Sequence, residues 1–433
     1  MPIKFFSTDD ADFSSNFNEI LERGETDNRE AEKIVSGIME DIRSKGDSAL
    51  LEYTARFDRF ETTAEGIKVS KKEVEKALRS IDPDVKSALE VAAKRIEAFH
   101  AKQKEETWTS EDEEGVVLGQ LVRPLEKVGI YVPGGKAAYP SSVLMNAIPA
   151  KVAGVSKIIM VVPTPDGEMN DHLLAAAKIA GVDEIYRIGG AQAVAALAYG
   201  TKTVPKVDKI VGPGNIFVAT AKKLAFGIVD IDMIAGPSEV LIISDGSGDP
   251  SHIAADMLAQ AEHDEMAASI LITTSKEFGL KVSGEIERQL EKLRRRDIAK
   301  ASIDNRGAII TTKDLDAAFD LSNRAAPEHL ELAIEGPEKY LDRVKNAGAI
   351  FMGHFTPEAL GDYIAGPNHV LPTGGSARFF SPLGTYDFIK RSSIISFSKS
   401  AFSKHGKNAE IIADIEGLEA HGNTIKIRMG EDI

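Results

Sequence analysis

The sequence predicts an α/β protein with two doubly wound units, a helical N-terminal region and an extended C-terminal tail. Two observations lead to this fold class. Short apolar runs alternate with helical stretches in two successive series, and several of the runs end in loops of glycine and proline. The chain also has 433 residues, more than one hydrophobic core usually serves, so several domains are expected.

The first part of the chain is predicted to be an N-terminal arm over residues 1–27 and a helical part of domain 1 over residues 28–127. Residues 1 to about 110 are predicted to be helical, because apolar residues recur there at helical spacing beside charged faces, as in "PDVKSALEVAAKRIEAFH". Few candidate catalytic or ligand-binding residues lie in this region.

An inserted α/β domain is predicted over residues 128–239. Four apolar runs each end in a glycine- or proline-rich loop: "VGIYVPGG" (128–135), "KIIMVVPTPDG", "EIYRIGG" and "KIVGPGN". Alternation with alanine-rich helices predicts a parallel, incomplete Rossmann-like sheet, and ligands usually bind where loops leave the carboxyl ends of such strands. Glycine is common in any β–α turn, but four such loops in a row favour a nucleotide site. The G-x-G-x-x-G fingerprint is absent, because "GPGNIF" lacks the last glycine, so a dinucleotide would be held in a non-standard way.

A second α/β unit is predicted over residues 240–381, where "VLIISD", "ASILITTS", "GAIITT", "EHLELAI" and "GAIFMG" alternate with helices. From about Ser381 the pattern becomes irregular. The final segment, residues 382–433, is predicted to be a dimerisation tail that could dock on another subunit, and its end, "AEIIADIEGLEAHGNTIKIRMGEDI", is predicted to be helix plus strand.

Composition excludes several classes of function. Lys and Arg number 52 against 67 Asp and Glu, a formal net charge of −15, which repels nucleic acid and anionic membranes. Charges or prolines interrupt every apolar stretch, and the amino terminus lacks a secretion signal, so a cytoplasmic location is expected. The absence of cysteine excludes disulfides, thiolate zinc sites, iron–sulfur clusters and a thiol nucleophile.

The segment "DMLAQAEHDE" (256–265) contains a candidate metal motif. On a helix, Asp256, Gln260 and His263 share one flank, and two or three of them could bind a metal. Spacing alone does not decide which. The alternative is that all three are solvated polar groups, because Q-x-x-H is not a specific motif.

Other histidines lie beside acids or in glycine-rich loops. Glu328 and His329 are adjacent in "AAPEHLEL", at the start of a predicted strand, where alternation would point them to opposite faces unless a turn intervenes. Both suit general acid–base catalysis, although plain solvation at a strand edge is the alternative. His369 lies in "GDYIAGPNHVLPTGG", a long shaped loop, and His421 lies in "EGLEAHG".

Five strings together, "IDMIAGPSE", "DMLAQAEHD", "AAPEHLEL", "GDYIAGPNHVLPTGG" and "EGLEAH", resemble the histidinol dehydrogenase family from about residue 30 to the C-terminus. The resemblance implies oxidation of L-histidinol through L-histidinal to L-histidine, the last steps of histidine biosynthesis, with reduction of two NAD molecules. It also implies one zinc ion per subunit and an intertwined homodimer. An N and O ligand set would accept manganese or cobalt as well.

The family's site residues map onto this sequence as follows. The resemblance implies metal ligands at Gln260, His263, Asp362 and His421, which leaves Asp256 out; catalytic residues at Glu328 and His329; substrate contacts at Ser238, His369 and Glu416 together with His329 and the metal ligands; and NAD contacts at Tyr131, Gln192 and Asn215. In the family the tail crosses the dimer interface, so His421 and Glu416 would act in the partner's site.

The resemblance and the composition together predict a mechanism. His329 removes the alcohol proton while hydride leaves to NAD, Glu328 then activates water, and His329 takes the next proton. Water must attack the aldehyde, because a thiohemiacetal needs a cysteine that the chain lacks.

Two other readings remain open. One is a zinc- and NAD-dependent dehydrogenase of another small alcohol, such as a sulfonated diol, although a carboxylate at Glu416 suits an amino-alcohol better. The other is a zinc- and nucleotide-binding regulatory protein without turnover, which retention of Glu328 and His329 disfavours.

Overall fold

The structure is a computed structural model that describes residues 3–21, 29–134 and 139–432. Part of the predicted N-terminal arm, and Gly135 at the end of "VGIYVPGG", lie outside the described residues. Backbone contacts divide the chain into two compact units. The first comprises residues 1–103 and 125–388, and the second comprises residues 104–124 and 389–433.

The N-terminal part of the first unit is one strand followed by helices. These elements are β1 (Lys4–Ser7), α1 (Phe13–Leu21), α2 (Arg29–Lys45), α3 (Asp47–Asp58), α4 (Lys71–Ser80) and α5 (Pro83–Ala101). Local sequence explains where the last two begin. Ser70 and Glu73 form a capping box at α4, and Asp82 caps α5 with Pro83 in its first turn.

A five-stranded parallel sheet follows. Its elements are β4 (Lys127–Tyr131), α6 (Pro140–Ala153), β5 (Lys157–Val161), α7 (Asp171–Ala180), β6 (Glu184–Tyr186), α8 (Gly190–Tyr199), β7 (Lys209–Val211), α9 (Ile216–Ala225) and β8 (Asp230–Ile231), with a 3₁₀ turn at Pro165–Gly167. In the strand order β6-β5-β4-β7-β8, the strands that follow β4 in the chain are added first on one side of it and then on the other, so the order of addition changes between β4 and β7. Loops that leave the carboxyl ends of those two strands therefore flank a crevice of the kind that binds ligands.

A second parallel sheet has six strands in the order β1-β11-β10-β9-β12-β13. Its elements are β9 (Glu239–Ser244), α10 (Pro250–Ala261), β10 (Ala268–Thr273), α11 (Lys276–Leu290), α12 (Arg296–Arg306), β11 (Gly307–Thr311), α13 (Leu315–Ala325), β12 (His329–Ala333), β13 (Ala349–Met352) and α14 (Glu358–Tyr363), with 3₁₀ turns at Pro337–Arg343, Ser376–Arg378 and Thr385–Phe388. Strands β9, β10 and β12 are buried along their whole length, which explains their unbroken apolar runs. The predicted α/β class with parallel sheets is confirmed.

The second unit is a small antiparallel sheet with two helices. Its elements are β2 (Trp108–Glu111), β3 (Val116–Pro124), β14 (Ile389–Phe397), α15 (Lys399–Ile415) and α16 (Glu419–Met429). The sheet order is β14-β3-β2. Among the described residues, no helix combines the length and apolar character needed to cross a membrane.

Three details of secondary structure were predicted wrongly. The N-terminal arm contributes strand β1, which pairs in parallel with β11. The predicted helical region over 28–127 ends at Ala101 and is followed by β2 and β3. The chain ends in helix α16, where a strand was expected. Strands β1 and β3 pair with β11 and β14, which lie far away in the sequence, and α16 packs on α15, so local periodicity did not define these segments.

Candidate active site

A cavity of about 330 Å³ in the first unit contains most of the chemistry-bearing residues that the sequence singled out. Its lining includes Ser238, Gln260, His263, Glu328, His329, Asp362 and His369. Ser238 immediately precedes β9, and His329 is the first residue of β12. The site therefore lies at the amino ends of the second sheet, opposite to the edge that the general rule for open parallel sheets favours.

His329 is buried and held in one tautomer. Its Nδ1 lies 3.1 Å from the backbone carbonyl of Glu239, which can only accept a hydrogen bond, so Nδ1 carries the proton. Its Nε2 is buried without a hydrogen-bond partner among the described residues and lies 3.9 Å from Oδ1 of Asp362. Burial lowers the pKa of His329 to about 4. The imidazole is therefore neutral near pH 7, with a free lone pair that can accept a proton.

Glu328 lies in the same cavity as His329. A bend at Glu328 precedes the strand, which is the exception that the sequence-based expectation allowed, so strand alternation does not apply and both side chains line one cavity. Its Oε2 accepts a hydrogen bond of 2.9 Å from the backbone N–H of Glu239 and lies 3.7 Å from Nδ1 of His329. Complete burial raises the pKa of Glu328 well above its usual range. Such a carboxyl is suited to exchanging protons near neutral pH.

Three donor-bearing side chains form the candidate metal cluster. Donor atoms of His263, Glu358 and Asp362 all lie within 4.8 Å of one another. Glu358 and Asp362 are one helical turn apart on α14. Helix α10 ends at Ala261, so His263 lies two residues beyond the helix on which the sequence predicted it. Burial raises the pKa of Asp362 to about 6. The cluster has the nitrogen and oxygen donors that zinc accepts.

Gln260 also lines this cavity and is fully buried, with an exposed fraction of 0%, so the reading of Gln260 as a solvated surface group is wrong. A carboxylate only accepts hydrogen bonds, so the amide nitrogen of Gln260 must face Glu358, at 3.2 Å from Oε1 and 3.1 Å from Oε2. This orientation leaves the amide oxygen of Gln260 free to act as a ligand.

Asp256 is separated from the metal cluster. It lines a different small cavity with Glu331, to which it hydrogen-bonds. The helical flank that Asp256 shares with Gln260 thus serves two different sites.

Sequence reasoning missed Glu358 and Glu239. Glu358 is 2% exposed, and burial together with the carboxylates of Asp362 and Glu331 raises its pKa well above the usual range. The i, i+4 spacing of Glu358 and Asp362 in "EALGDY" was the available signal. Glu239 acts through its backbone, and its Oε1 accepts a hydrogen bond of 3.1 Å from the N–H of Gly374, contacts that no side-chain motif indicates.

Ser238 and His369 complete the lining that the sequence predicted for this cavity. The Ser238 hydroxyl hydrogen-bonds Glu328. Nδ1 of His369 donates to the backbone carbonyl of Asp362 at 3.0 Å, which ties the long glycine-rich loop to α14. Burial lowers the pKa of His369 to about 4, so its ring is neutral at physiological pH.

A second cavity, of about 880 Å³, contains the three residues that the resemblance implied for NAD. Tyr131 ends β4, and its hydroxyl accepts a hydrogen bond of 3.1 Å from the N–H of Gly190. Both amide atoms of Gln192 are buried without a partner in the described part of the chain. Asn215 caps α9 through its side-chain oxygen, which accepts from Phe217 and Val218, so its amide nitrogen remains available to a ligand.

The two cavities adjoin each other. Pro133, Gly214 and Asn215 line both of them. An extended ligand in the larger cavity could therefore reach His329 in the smaller one.

His421 and Glu416 belong to the second unit. His421 is exposed on α16, and Glu416 is exposed at the end of α15. The metal cluster found within the first unit contains neither residue.

The fold and the two cavities define the class of protein: it is an α/β protein with a cluster of nitrogen and oxygen donors beside a buried histidine–glutamate pair. A profile of the histidinol dehydrogenase family matches residues 21–429. The histidinol dehydrogenases of Syntrophotalea carbinolica and Geobacter sulfurreducens are 60% and 59% identical to this chain over 427 and 428 residues, which covers 99% of this chain in both cases and 99% and 100% of theirs. The crystal structure of histidinol dehydrogenase from Elizabethkingia anophelis superimposes with a TM-score of 0.93 at 38% identity, over 99% of this chain and 98% of that one. The chain belongs to the histidinol dehydrogenase family.

Proposed function

We propose that this protein oxidises L-histidinol through L-histidinal to L-histidine, the last steps of histidine biosynthesis, with NAD as hydride acceptor and one zinc ion per subunit. The observation that carries the proposal is the free Nε2 of His329. It is buried beside the donor cluster, in a cavity that adjoins a larger one suited to a dinucleotide.

The donor cluster fits a divalent cation. Glu358 and Asp362 are crowded carboxyls whose ionisation is disfavoured by burial and, for Glu358, by like charges. A cation would compensate both charges. Gln260, His263 and Asp362 would bind the zinc, with Glu358 holding the amide of Gln260.

The larger cavity fits NAD. The two unpartnered amide atoms of Gln192 provide one donor and one acceptor inside a cavity whose volume lies within the usual range for ligand pockets. Buried polar groups are normally hydrogen-bonded, so Gln192 requires a polar ligand. Tyr131, Gln192 and Asn215 are proposed to contact the cofactor, and the domain over residues 128–239 is proposed to bind it.

In the first oxidation, Nε2 of His329 takes the proton of the substrate's hydroxyl group. The Nδ1–H bond to Glu239 keeps Nε2 unprotonated and directs it into the cavity. When bound, NAD accepts the hydride, and zinc holds the imidazole and amino group of the substrate in position. Ser238, His369 and the partner's Glu416 are proposed to contact the substrate.

In the second oxidation, Glu328 takes a proton from water, which attacks the aldehyde carbon. The raised pKa of Glu328 makes it a stronger base than an exposed carboxylate. His329 then takes a hydroxyl proton of the hydrated aldehyde as the second hydride leaves. The chain has no cysteine that could form the usual thiol adduct.

We also propose that the protein is a homodimer with shared sites. His421 is the fourth metal ligand implied by family resemblance and Glu416 a further substrate contact, and both are exposed on the second unit. The apolar side chains of that unit support an interface, because Ile395, Ile415 and Ile427 are also exposed. The tail over residues 382–433 would then be the dimerisation segment.

The direct test measures NADH formation by the zinc-loaded protein with histidinol, and with a sulfonated diol as the competing substrate. Histidinol alone should be oxidised, and removal of zinc by a chelator should abolish the activity. No NADH from either substrate would favour a regulatory protein, and turnover of the diol alone would identify a different dehydrogenase of the same scaffold. Glu277→Gln serves as a matched control, because its carboxyl is exposed on α11 and pairs with Lys281.

A further inference from the structure

Asp58 is a buried carboxylate without a protein partner for one of its oxygens. It is the last residue of α3, only 7% exposed, and it lines the larger cavity. Its Oδ2 is buried with no hydrogen-bond partner among the described residues. Neither the sequence motifs nor the proposed mechanism assigns a role to this side chain.

The position is unfavourable for a negative charge. Burial raises the pKa of Asp58 to about 6, against a smaller opposing effect of Arg59. The carboxylate also lies at a helix C-terminus, where the unsatisfied carbonyl groups repel anions. Because buried polar groups normally have partners, an acid retained here is accounted for by a ligand that donates a hydrogen bond into the cavity.

The sheet order indicates which part of a dinucleotide would lie there. The order β6-β5-β4-β7-β8 matches the first five strands of the doubly wound dinucleotide-binding order 3-2-1-4-5-6, with β4 as the first strand and β5 as the second. In that architecture an acid that follows the glycine-rich turn by about 20 residues hydrogen-bonds the 2′-hydroxyl of the adenosine ribose. Pro163 and Pro165, which follow β5, line the same cavity as Asp58.

No carboxylate occupies the end of β5, since residues 162–165 read Val-Pro-Thr-Pro. The next acid, Asp166, is exposed and paired with Arg59 through hydrogen bonds of 2.8 and 2.6 Å. This pair ties the end of α3 to the loop after β5. Asp58, the neighbour of Arg59, is thereby held against the place where the acid of a standard dinucleotide fold would lie.

We propose that Asp58 accepts a hydrogen bond from the 2′-hydroxyl of the adenosine ribose and thereby gives the site its preference for NAD over NADP. The inference rests on the proposed NAD-dependent function. It accounts for the absence of an acid at the end of β5, because the acid comes from a helix outside the inserted domain. The 2′-phosphate of NADP would meet a buried carboxylate and be repelled.

The test is equilibrium binding of NADH and NADPH to the zinc-loaded full chain, followed by the fluorescence of the reduced cofactors. The parent protein should prefer NADH. Asp58→Ala should weaken NADH binding by about tenfold or more, since a charge-assisted hydrogen bond is lost, and Asp58→Asn should narrow the preference for NADH over NADPH by about tenfold. Glu52→Gln removes a negative charge from the exposed face of the same helix, outside the lining of the cavity, and should leave both affinities within about twofold.

Either of two results overturns the inference. One is NADH affinity unchanged in both Asp58 variants, and the other is weakened NADH binding with an unchanged ratio of NADPH to NADH affinity. If histidinol oxidation persists in either case, the proposed function stands and only the role of Asp58 is wrong. A parent protein that binds no NADH contradicts both.

Discussion

The metal cluster gives a sharp prediction at Glu358, a residue that no motif identified. Both carboxylate oxygens of Glu358 accept hydrogen bonds from the amide nitrogen of Gln260, and the Glu358 side chain is 2% exposed. Glu358→Gln keeps the shape and one acceptor but removes the negative charge. The amide of Gln260 then loses its charge-assisted bonds, and its oxygen is no longer held in one direction.

The expected magnitude follows from this geometry. Replacing a charged hydrogen-bond acceptor by a neutral one costs about 1–2 kcal/mol, and loss of an outer-shell partner typically weakens metal binding about 10–100-fold. We therefore expect the zinc dissociation constant of Glu358→Gln to rise by about 10–100-fold. Without zinc, the same substitution should raise the Tm, because it removes one of several crowded buried carboxyls.

Competition with a chromophoric chelator measures the zinc affinity, and calorimetry with and without zinc measures the two Tm values. A tenfold weaker affinity should reduce the zinc-dependent stabilisation by about 1.4 kcal/mol at saturating zinc. Glu277→Gln is the matched control and should bind zinc like the parent, because the carboxyl of Glu277 is exposed on α11 and pairs with Lys281. Zinc affinity unchanged in Glu358→Gln, or reduced equally in Glu277→Gln, would refute the reasoning.

Three further predictions address other parts of the account. Glu328→Gln should retain the first oxidation while slowing oxidation of added histidinal by about 10²–10⁴-fold, as expected for loss of a general base, in stopped-flow measurements of NADH. A mixture of His421→Ala and Gln260→Ala chains should recover part of the activity that each lacks, because a shared dimer contains one intact site of the two. Burial acts to raise the pKa of Glu184, but hydrogen bonds from Lys68, Tyr186 and Lys157 lower it to about 2. Glu184 therefore stabilises the fold above its unfolded pKa of about 4.5 and loses this effect as the pH falls toward 2, so the Tm deficit of Glu184→Gln should shrink between pH 7 and pH 3.

Each of these predictions has a contradicting outcome. If Glu328→Gln oxidises histidinal as fast as the parent while failing on histidinol, the assigned roles of Glu328 and His329 are wrong. If the mixed variants stay inactive although each chain is folded and dimeric, the sites are not shared. A Tm deficit in Glu184→Gln that is independent of pH would show that its ion pairs do not titrate as described.

The sequence predicted the strands and loops of both α/β sheets well, because buried parallel strands read as unbroken apolar runs. It predicted poorly what depends on distant partners. Strand β1 pairs with the distant strand β11, and β3 pairs along its length with β14 from the C-terminal part of the chain. Neither pairing leaves a periodic signal in the local sequence.

The site shows the same division. The family resemblance predicted one site for His329, Gln260 and Asp362, and all three line one cavity, but the tautomer of His329 depends on a backbone carbonyl. Asp58 carries no motif, because its significance comes from burial and from the order of the strands beside it. Groups whose role depends on an unsatisfied atom become visible only when every partner is known.

The central claim is that one cavity performs two successive oxidations with a cation and a single pair of bases. The most direct measurement counts NADH formed per histidinol consumed, with zinc-loaded protein and with the same protein after chelation and zinc restoration. The account predicts two molecules of NADH per histidinol, no NADH after chelation and full recovery with zinc. A ratio of one, or activity that survives removal of the metal, would contradict it.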